Sequence, residues 1–146
     1  MRVLQCYWEV CWRETAIAHA GTGIAHAVGA TLGGFYPVEY GKLGGLVLPE
    51  AIRYYVPAAK DMYKEVAQLI GLNTEGLLQE AASVKLANAV EGWLTTFGVI
   101  NRLRDLGVKR EMFPAMIDYT STQNSVGNNI RTVDRKAIES FYEKLY

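Results

Sequence analysis

Apolar side chains recur at helical spacing in three stretches of the chain, and each stretch predicts an amphipathic helix. The first two stretches comprise Ile52, Val56, Ala59, Tyr63, Val66 and Ile70, and then Leu86, Ala89, Val90, Trp93, Leu94 and Phe97. The third comprises Ile138, Phe141, Tyr142 and Leu145. It follows Thr132, whose hydroxyl is expected to cap the helix start, with Asp134 near the positive end of the helix dipole.

Turn-forming residues separate these stretches and divide the rest of the chain. They are Gly71 with Asn73, Gly98, Gly107, Pro114 and the polar segment 121–129, and each is expected to stop a helix. Only residues 2–10 have any strand character, and their alternation is poor. The pattern therefore predicts an all-α fold, a multi-helix bundle of about six or seven helices. No repeat or linker divides it, so residues 1–146 are expected to form one helical domain.

Composition and charge exclude several classes of function. The chain has 146 residues, of which 50% are hydrophobic, and its fifteen basic and fifteen acidic side chains cancel. Without a net charge it has no long-range attraction for nucleic acid or an anionic membrane, so neither is expected as a partner. No apolar run approaches the roughly 20 residues that span a bilayer. Glu9, Arg13 and Glu14 interrupt any signal-peptide core, which makes a cytoplasmic location the default expectation.

The segment from residue 21 to residue 45 is rich in glycine and holds the candidate chemistry. It contains eight of the fourteen glycines, and His19 and His26, the two histidines of the chain, lie at or near its start. Gly21 and Gly23 do not complete a dinucleotide-binding fingerprint, because the third glycine position is His26. On a continuous helix the two histidines would lie about 10 Å apart along the axis, too far to share an ion. They could converge only if the helix broke at the glycines, so the residues alone favour ordinary core or surface histidines over metal ligands.

The same segment resembles the signature of the iron-dependent alcohol dehydrogenases. That signature has a histidine, thirteen intervening residues, and then a second histidine followed by glycine. Here His26 falls on the first ligand position, and Tyr40, followed by Gly41, falls on the second. The resemblance continues in the family's order through residues 46–49, 98–108, 128–131 and 137–146, and covers the chain from about Thr15 to its end.

The resemblance implies the C-terminal, helical metal-binding half of the dehydroquinate synthase-like, iron-dependent alcohol dehydrogenase fold. In that family a divalent metal, Fe or Zn, polarises the alcohol or carbonyl oxygen while a nicotinamide exchanges hydride with carbon. His26 is accordingly the candidate metal ligand, and no catalytic residue is assigned. The family's other two ligands, an aspartate and a histidine, belong upstream of His26 and are not expected among the 25 residues that precede it. Ala30 stands where many members have a histidine near the nicotinamide.

These departures lower the expectation of activity. NAD(P) is not expected to bind this chain alone, since the family's nucleotide-binding half does not occur in it. Tyr40 is disfavoured as a phenolate ligand because its reference pKa is about 10. The surface that would face the other half is expected to be apolar and to favour a homo-oligomer or a complementary nucleotide-binding chain. The leading prediction is part of an NAD(P)-dependent alcohol oxidoreductase that is inactive alone. A split enzyme and a non-catalytic helical interaction module are the alternatives.

Overall fold

The computed structural model of the chain describes residues 2–99 and 102–146, and within them the fold is all-α, as predicted. These residues form six α-helices: α1 (Arg2–Ala20), α2 (Ile24–Phe35), α3 (Tyr40–Leu69), α4 (Gln79–Thr96), α5 (Phe113–Ser121) and α6 (Arg135–Leu145). Three short 3-10 helices, Leu103–Leu106, Arg110–Met112 and Asn124–Gly127, lie between the later helices. The three predicted amphipathic stretches fall in α3, α4 and α6, and all three predictions are confirmed.

Helix α3 is longer than its apolar pattern indicates and is kinked. It begins at Tyr40 and continues through Pro49 and Pro57 before its backbone leaves helical geometry at Ala59 (φ −133°, ψ 17°). A proline inside a helix lacks an N–H, and its ring collides with the carbonyl four residues earlier, so a bend beside Pro57 is expected. Helix α3 packs on both α2 and α4, and its contacts with α4 begin before the kink, where Arg53 donates to Asn88 at 2.8 Å.

Most predicted helix stops are correct, and two details are wrong. Gly71, Gly98 and Gly107 all have positive φ and follow helical segments. The cap of α6, however, is Asp134 and not Thr132, because the Asp134 carboxylate accepts a hydrogen bond from the Ala137 N–H at 2.8 Å. Pro114 does not stop a helix either. It lies in the first turn of α5, where a backbone N–H has no intrahelical acceptor and its absence costs nothing.

Two hydrophobic cores hold the helices together. The larger core joins α2, the first half of α3, α5 and α6, and its fully buried side chains include Ile24, Val28, Leu32, Leu43, Val47, Met116, Ile138 and Tyr142. The smaller core joins α3 to α4 through Ile52 and Ala67, which lie on either side of the kink, and through Leu86 and Ala87. Because α3 contributes to both cores, it connects the two halves of the bundle. That residues 1–146 form a single domain stays a prediction.

A chain of buried hydroxyl groups crosses the larger core. The Tyr142 hydroxyl lies 2.8 Å from Thr120 Oγ1, which donates to Thr31 Oγ1 at 2.9 Å, and Thr31 in turn donates to the Ala27 carbonyl at 2.9 Å. All three hydroxyl side chains are fully buried. Burial raises the pKa of Tyr142 to about 12, although its hydrogen bonds with Thr120 and Thr31 oppose the rise. The chain links α6, α5 and α2, and each hydroxyl has a partner.

Helix α1 lies largely outside both cores. From Glu9 to Ala20 its side chains are exposed except for Cys11, which is half-buried and a free thiol. The sequence suggested that Cys6 and Cys11 are small apolar residues, not a disulfide or metal pair, and the side chain of Cys6 lies outside the described residues. Across the described ranges, none of the helices has the length and apolar character that a bilayer-spanning segment requires.

Candidate functional site

Helices α1 and α2 are separate, so the two histidines do not lie along one helix. Helix α1 ends at Ala20 and α2 begins at Ile24, with Gly21 between them in the left-handed region (φ 71°). His19 is exposed at the end of α1, and His26 is exposed on the first turn of α2. The break therefore occurs at the predicted glycines. Even so, the described residues contain no group of three or more His, Cys, Asp or Glu side chains placed to hold a metal ion.

The turn between α1 and α2 is held by the loop that precedes α6. Asn129 accepts a hydrogen bond from the Ile24 N–H at 2.9 Å and another from the Tyr55 hydroxyl of α3. Its own amide donates to the carbonyls of Ser125 and Val126 at 3.1 and 2.7 Å. A backbone N–H in the first turn of a helix has no acceptor within the helix. Asn129, which lies 105 residues further along the chain, accepts the hydrogen bond of this N–H in α2. Sequence analysis noted this asparagine only within a turn similar to that of the family, and missed its role in positioning α2.

Substituting Gly21 with alanine is expected to lower the free energy of unfolding by about 1–2 kcal/mol, because L-residues are strained in the left-handed region. In addition, a Cβ at Gly21 would lie 2.4 Å from Asn128 Nδ2 and would push the docked loop away. Gly34→Ala in α2 is the matched control. Its Cβ would meet nothing within 4 Å, so a gain of about 0.4–1 kcal/mol is expected. Urea unfolding of both variants measures the difference, and equal stabilities would contradict the docking of this turn.

His26 and Tyr40 meet at the corner between α2 and α3. His26 is the third residue of α2 and Tyr40 is the first residue of α3. The Tyr40 hydroxyl lies 2.5 Å from His26 Nδ1, and the two rings are arranged edge to face with their centroids 5.6 Å apart. Both side chains are exposed, Tyr40 by 48%. The tertiary structure therefore joins the two positions that the sequence identified as the ligand pair.

The electrostatics of this corner keep the tyrosine neutral. Partial burial raises the pKa of Tyr40 above its ordinary value of 10.0, so the phenol is protonated at neutral pH. Glu39, the neighbouring carboxylate, forms an ion pair with Lys42 at 2.9 Å.

The corner offers few ligands for a metal ion. Ala30, one turn after His26, has no side-chain atom that could bind a metal. A metal ion needs three or four converging ligands, and one imidazole with one neutral phenol does not fit that requirement. The role of His26 as a metal ligand stays a prediction.

A second polar cluster lies away from this corner and is already paired. Glu50 of α3 is nearly buried and forms ion pairs with Lys144 of α6 and with Arg53. Arg53 also contacts Glu91 of α4, and Arg102 donates to the Lys144 carbonyl at 3.0 Å. These side chains line a cavity of about 490 Å³ between the helices. Because each of these cations has a protein acceptor, the network links α3, α4 and α6. Sequence analysis missed it, since Glu50 and Lys144 are 94 residues apart.

Comparison with known proteins identifies the family. The family model described as "Fe-containing alcohol dehydrogenase family, C-terminal" matches residues 12–146. The 1,3-propanediol dehydrogenase of Citrobacter freundii is 29% identical over 131 residues, which cover 90% of this chain and 34% of that protein. The lactaldehyde reductase of Escherichia coli (strain K12) is 28% identical over 125 residues, covering 86% of this chain and 33% of that protein.

Solved structures agree with the sequence comparison. The crystal structure of a 1,3-propanediol oxidoreductase superposes with a TM-score of 0.85 and 29% identity, covering 90% of this chain and 34% of that one. The alcohol dehydrogenase from Oenococcus oeni superposes with a TM-score of 0.81 and 27% identity, covering 85% of this chain and 32% of that one. The chain thus spans about a third of the length of these relatives. It belongs to the iron-containing alcohol dehydrogenase family, and what it carries is the family's C-terminal helical domain.

Proposed function

We propose that this chain is the helical metal-domain part of an NAD(P)-linked alcohol oxidoreductase, and that it does not catalyse that reaction alone. The family match supports the first statement, because relatives named as a propanediol dehydrogenase and a lactaldehyde reductase cover almost the whole chain. The contact between His26 and Tyr40 supports the second statement, that the chain does not catalyse the reaction alone. It places a neutral phenol against the one histidine that stands at a family ligand position.

The donor set limits what this chain contributes to such a reaction. The family signature implies His26 as a ligand for Fe or Zn, and a metal there would need further ligands from outside the described residues. The chemistry of alcohol oxidation also needs a nicotinamide, held by groups that the described residues do not supply. We therefore assign no step of the reaction to this chain alone. The cytoplasmic location expected from the sequence stays a prediction.

The experiment for this proposal is an assay of purified chain with NAD or NADP and a series of short alcohols. The expected result is no alcohol-dependent formation of reduced nicotinamide above the buffer rate. The full-length Citrobacter freundii 1,3-propanediol dehydrogenase, assayed under the same conditions with added iron, is the positive control. Robust turnover by the purified chain would overturn the statement that it is inactive alone.

A split enzyme is the second candidate, and exposed apolar side chains favour it. Trp12 of α1, Leu69 at the end of α3 and Phe97 after α4 are each more than two-thirds exposed. Association buries exposed apolar side chains where they belong to one contiguous patch. We propose that the chain forms a homo-oligomer or binds a complementary nucleotide-binding chain. Light scattering tests the first arrangement, and a monomer at micromolar concentration would count against it. Activity that appears only after a nucleotide-binding half is added would establish the second.

A further inference from the structure

We infer that a hydrogen bond between His26 and Tyr40 stands in place of a metal at the corner between α2 and α3, so that the residues of this chain do not hold a metal ion there by themselves. The inference rests on the family placement and not on the chain being inactive. Its physical basis is the 2.5 Å separation of Tyr40 Oη and His26 Nδ1. No other described residue supplies a third ligand at this corner.

The hydrogen bond prevents a metal ion from binding Nδ1, the first ring nitrogen of His26. A zinc ion bound to imidazole lies about 2.0–2.1 Å from the nitrogen, along its lone pair. The Tyr40 oxygen already stands 2.5 Å from Nδ1. A metal at Nδ1 would therefore require the phenol to move away or to lose its proton and become a ligand. The 2.5 Å contact therefore occupies the space beside Nδ1 that a metal would need.

The second ring nitrogen, Nε2, gains no site from this arrangement. In a neutral imidazole one nitrogen carries the proton and the other carries the lone pair. Tyr40 Oη occupies the Nδ1 side of the ring whichever group donates, so only Nε2 faces away from the bond. A metal at Nε2 would need two or three further ligands, and the described residues contain no group of three His, Cys, Asp or Glu side chains that could supply them. The bond also ties the first turn of α2 to the first turn of α3.

Nearby carboxylates do not compensate for the lost ligand. Glu39, the residue before Tyr40, is paired with Lys42 at 2.9 Å and is well exposed. Since its oxygens point to a cation on its own helix turn, Glu39 does not complete a site with His26. The corner is consequently held by a side-chain hydrogen bond and an edge-to-face ring contact. The same two positions serve as metal ligands in the family signature.

Zinc titration of the purified chain, followed by calorimetry and by the thermal midpoint, tests the metal-free state. Wild type is expected to show no binding at micromolar Zn²⁺ and no change in midpoint on adding EDTA. Tyr40→His should bind Zn²⁺ at least about tenfold more tightly, because it supplies a second imidazole in place of the phenol. Micromolar binding by wild type that His26→Gln abolishes would overturn the inference. Micromolar zinc binding by wild type as tight as that by Tyr40→His would also overturn it.

The hydrogen bond itself is tested with Tyr40→Phe, which keeps the ring and removes the hydroxyl. The expected result is a midpoint about 2–5 °C below wild type. The ¹⁵N resonance of His26 Nδ1 should also shift, because that nitrogen loses its hydrogen-bond partner. Tyr119→Phe is the matched control, because Tyr119 is 51% exposed and has no hydroxyl hydrogen bond among the described residues. Identical midpoints and unchanged His26 resonances in Tyr40→Phe would overturn the inference. Neither readout depends on alcohol turnover, so each stands apart from the assay of the proposed function.

Discussion

Phe141→Ala is expected to lower the free energy of unfolding by about 3–5 kcal/mol, the usual cost of removing a buried phenyl ring from a packed core. Phe141 lies on α6 and is only 2% exposed. Its ring packs on Tyr54 of α3 with centroids 5.3 Å apart, and Tyr54 donates to the Thr132 carbonyl at 2.5 Å. The substitution therefore leaves a cavity between α3 and α6 and loosens the loop before α6. Urea unfolding followed by far-ultraviolet circular dichroism measures the loss.

The matched control for this variant is Ser140→Ala, the preceding residue on the same helix. Ser140 is exposed, and an exposed serine replaced by alanine is expected to change stability by less than about 0.5 kcal/mol. If Phe141→Ala cost less than about 1 kcal/mol, α6 would not be packed on the core as described. Among the described helices, α6 has the most clearly amphipathic sequence. Comparing Phe141→Ala with Ser140→Ala therefore tests the helix whose packing the apolar pattern predicted most clearly.

Thr120→Val is expected to cost about 1–3 kcal/mol although valine has nearly the same shape. The substitution removes the hydroxyl at the centre of the buried chain that runs from Tyr142 to Thr31. The fully buried Tyr142 hydroxyl then loses its 2.8 Å partner and keeps only its interaction with Thr31, and a poorly satisfied buried hydroxyl bears a desolvation penalty. Thr31 is less affected because it still donates to the Ala27 carbonyl. Equilibrium urea unfolding gives the value.

A double-mutant cycle separates the hydrogen bond from the packing. Tyr142→Phe removes the donor, and the double variant Thr120→Val with Tyr142→Phe has neither partner. Its loss of stability is expected to be smaller than the sum of the two single losses, because no hydroxyl remains unpaired. Strict additivity of the two losses would show that the two hydroxyls do not interact in the folded protein.

The candidate site lies apart from the packing that maintains the fold. The helical domain keeps its fold, with two hydrophobic cores, the docked turn at Gly21 and the buried hydroxyl chain. None of these features depends on His26 or Tyr40, which lie at an exposed corner. A ligand can therefore be replaced there without disturbing the packing that maintains the bundle.

Sequence reasoning was most successful where the signal is local. The helices around Trp93 and Phe141 follow from apolar spacing, and the stop at Gly98 follows from its need for positive φ. It was less successful at capping. Thr132 and Asp134 both suit an N-cap, and the choice depends on which side chain reaches the Ala137 N–H. The kink beside Pro57 was also not predicted, because the apolar pattern continues through it without interruption.

By itself the sequence determined the helical class, most helix ends and the resemblance that pairs His26 with Tyr40, because periodicity, turn residues and spaced motifs are written within short stretches of chain. Three contacts were decided only by the tertiary structure. The Tyr40 hydroxyl contacts His26, Asn129 accepts a hydrogen bond from the first turn of α2, and Glu50 forms an ion pair with Lys144. These contacts join residues 14, 105 and 94 positions apart. Their formation depends on how the helices pack, which no local pattern specifies.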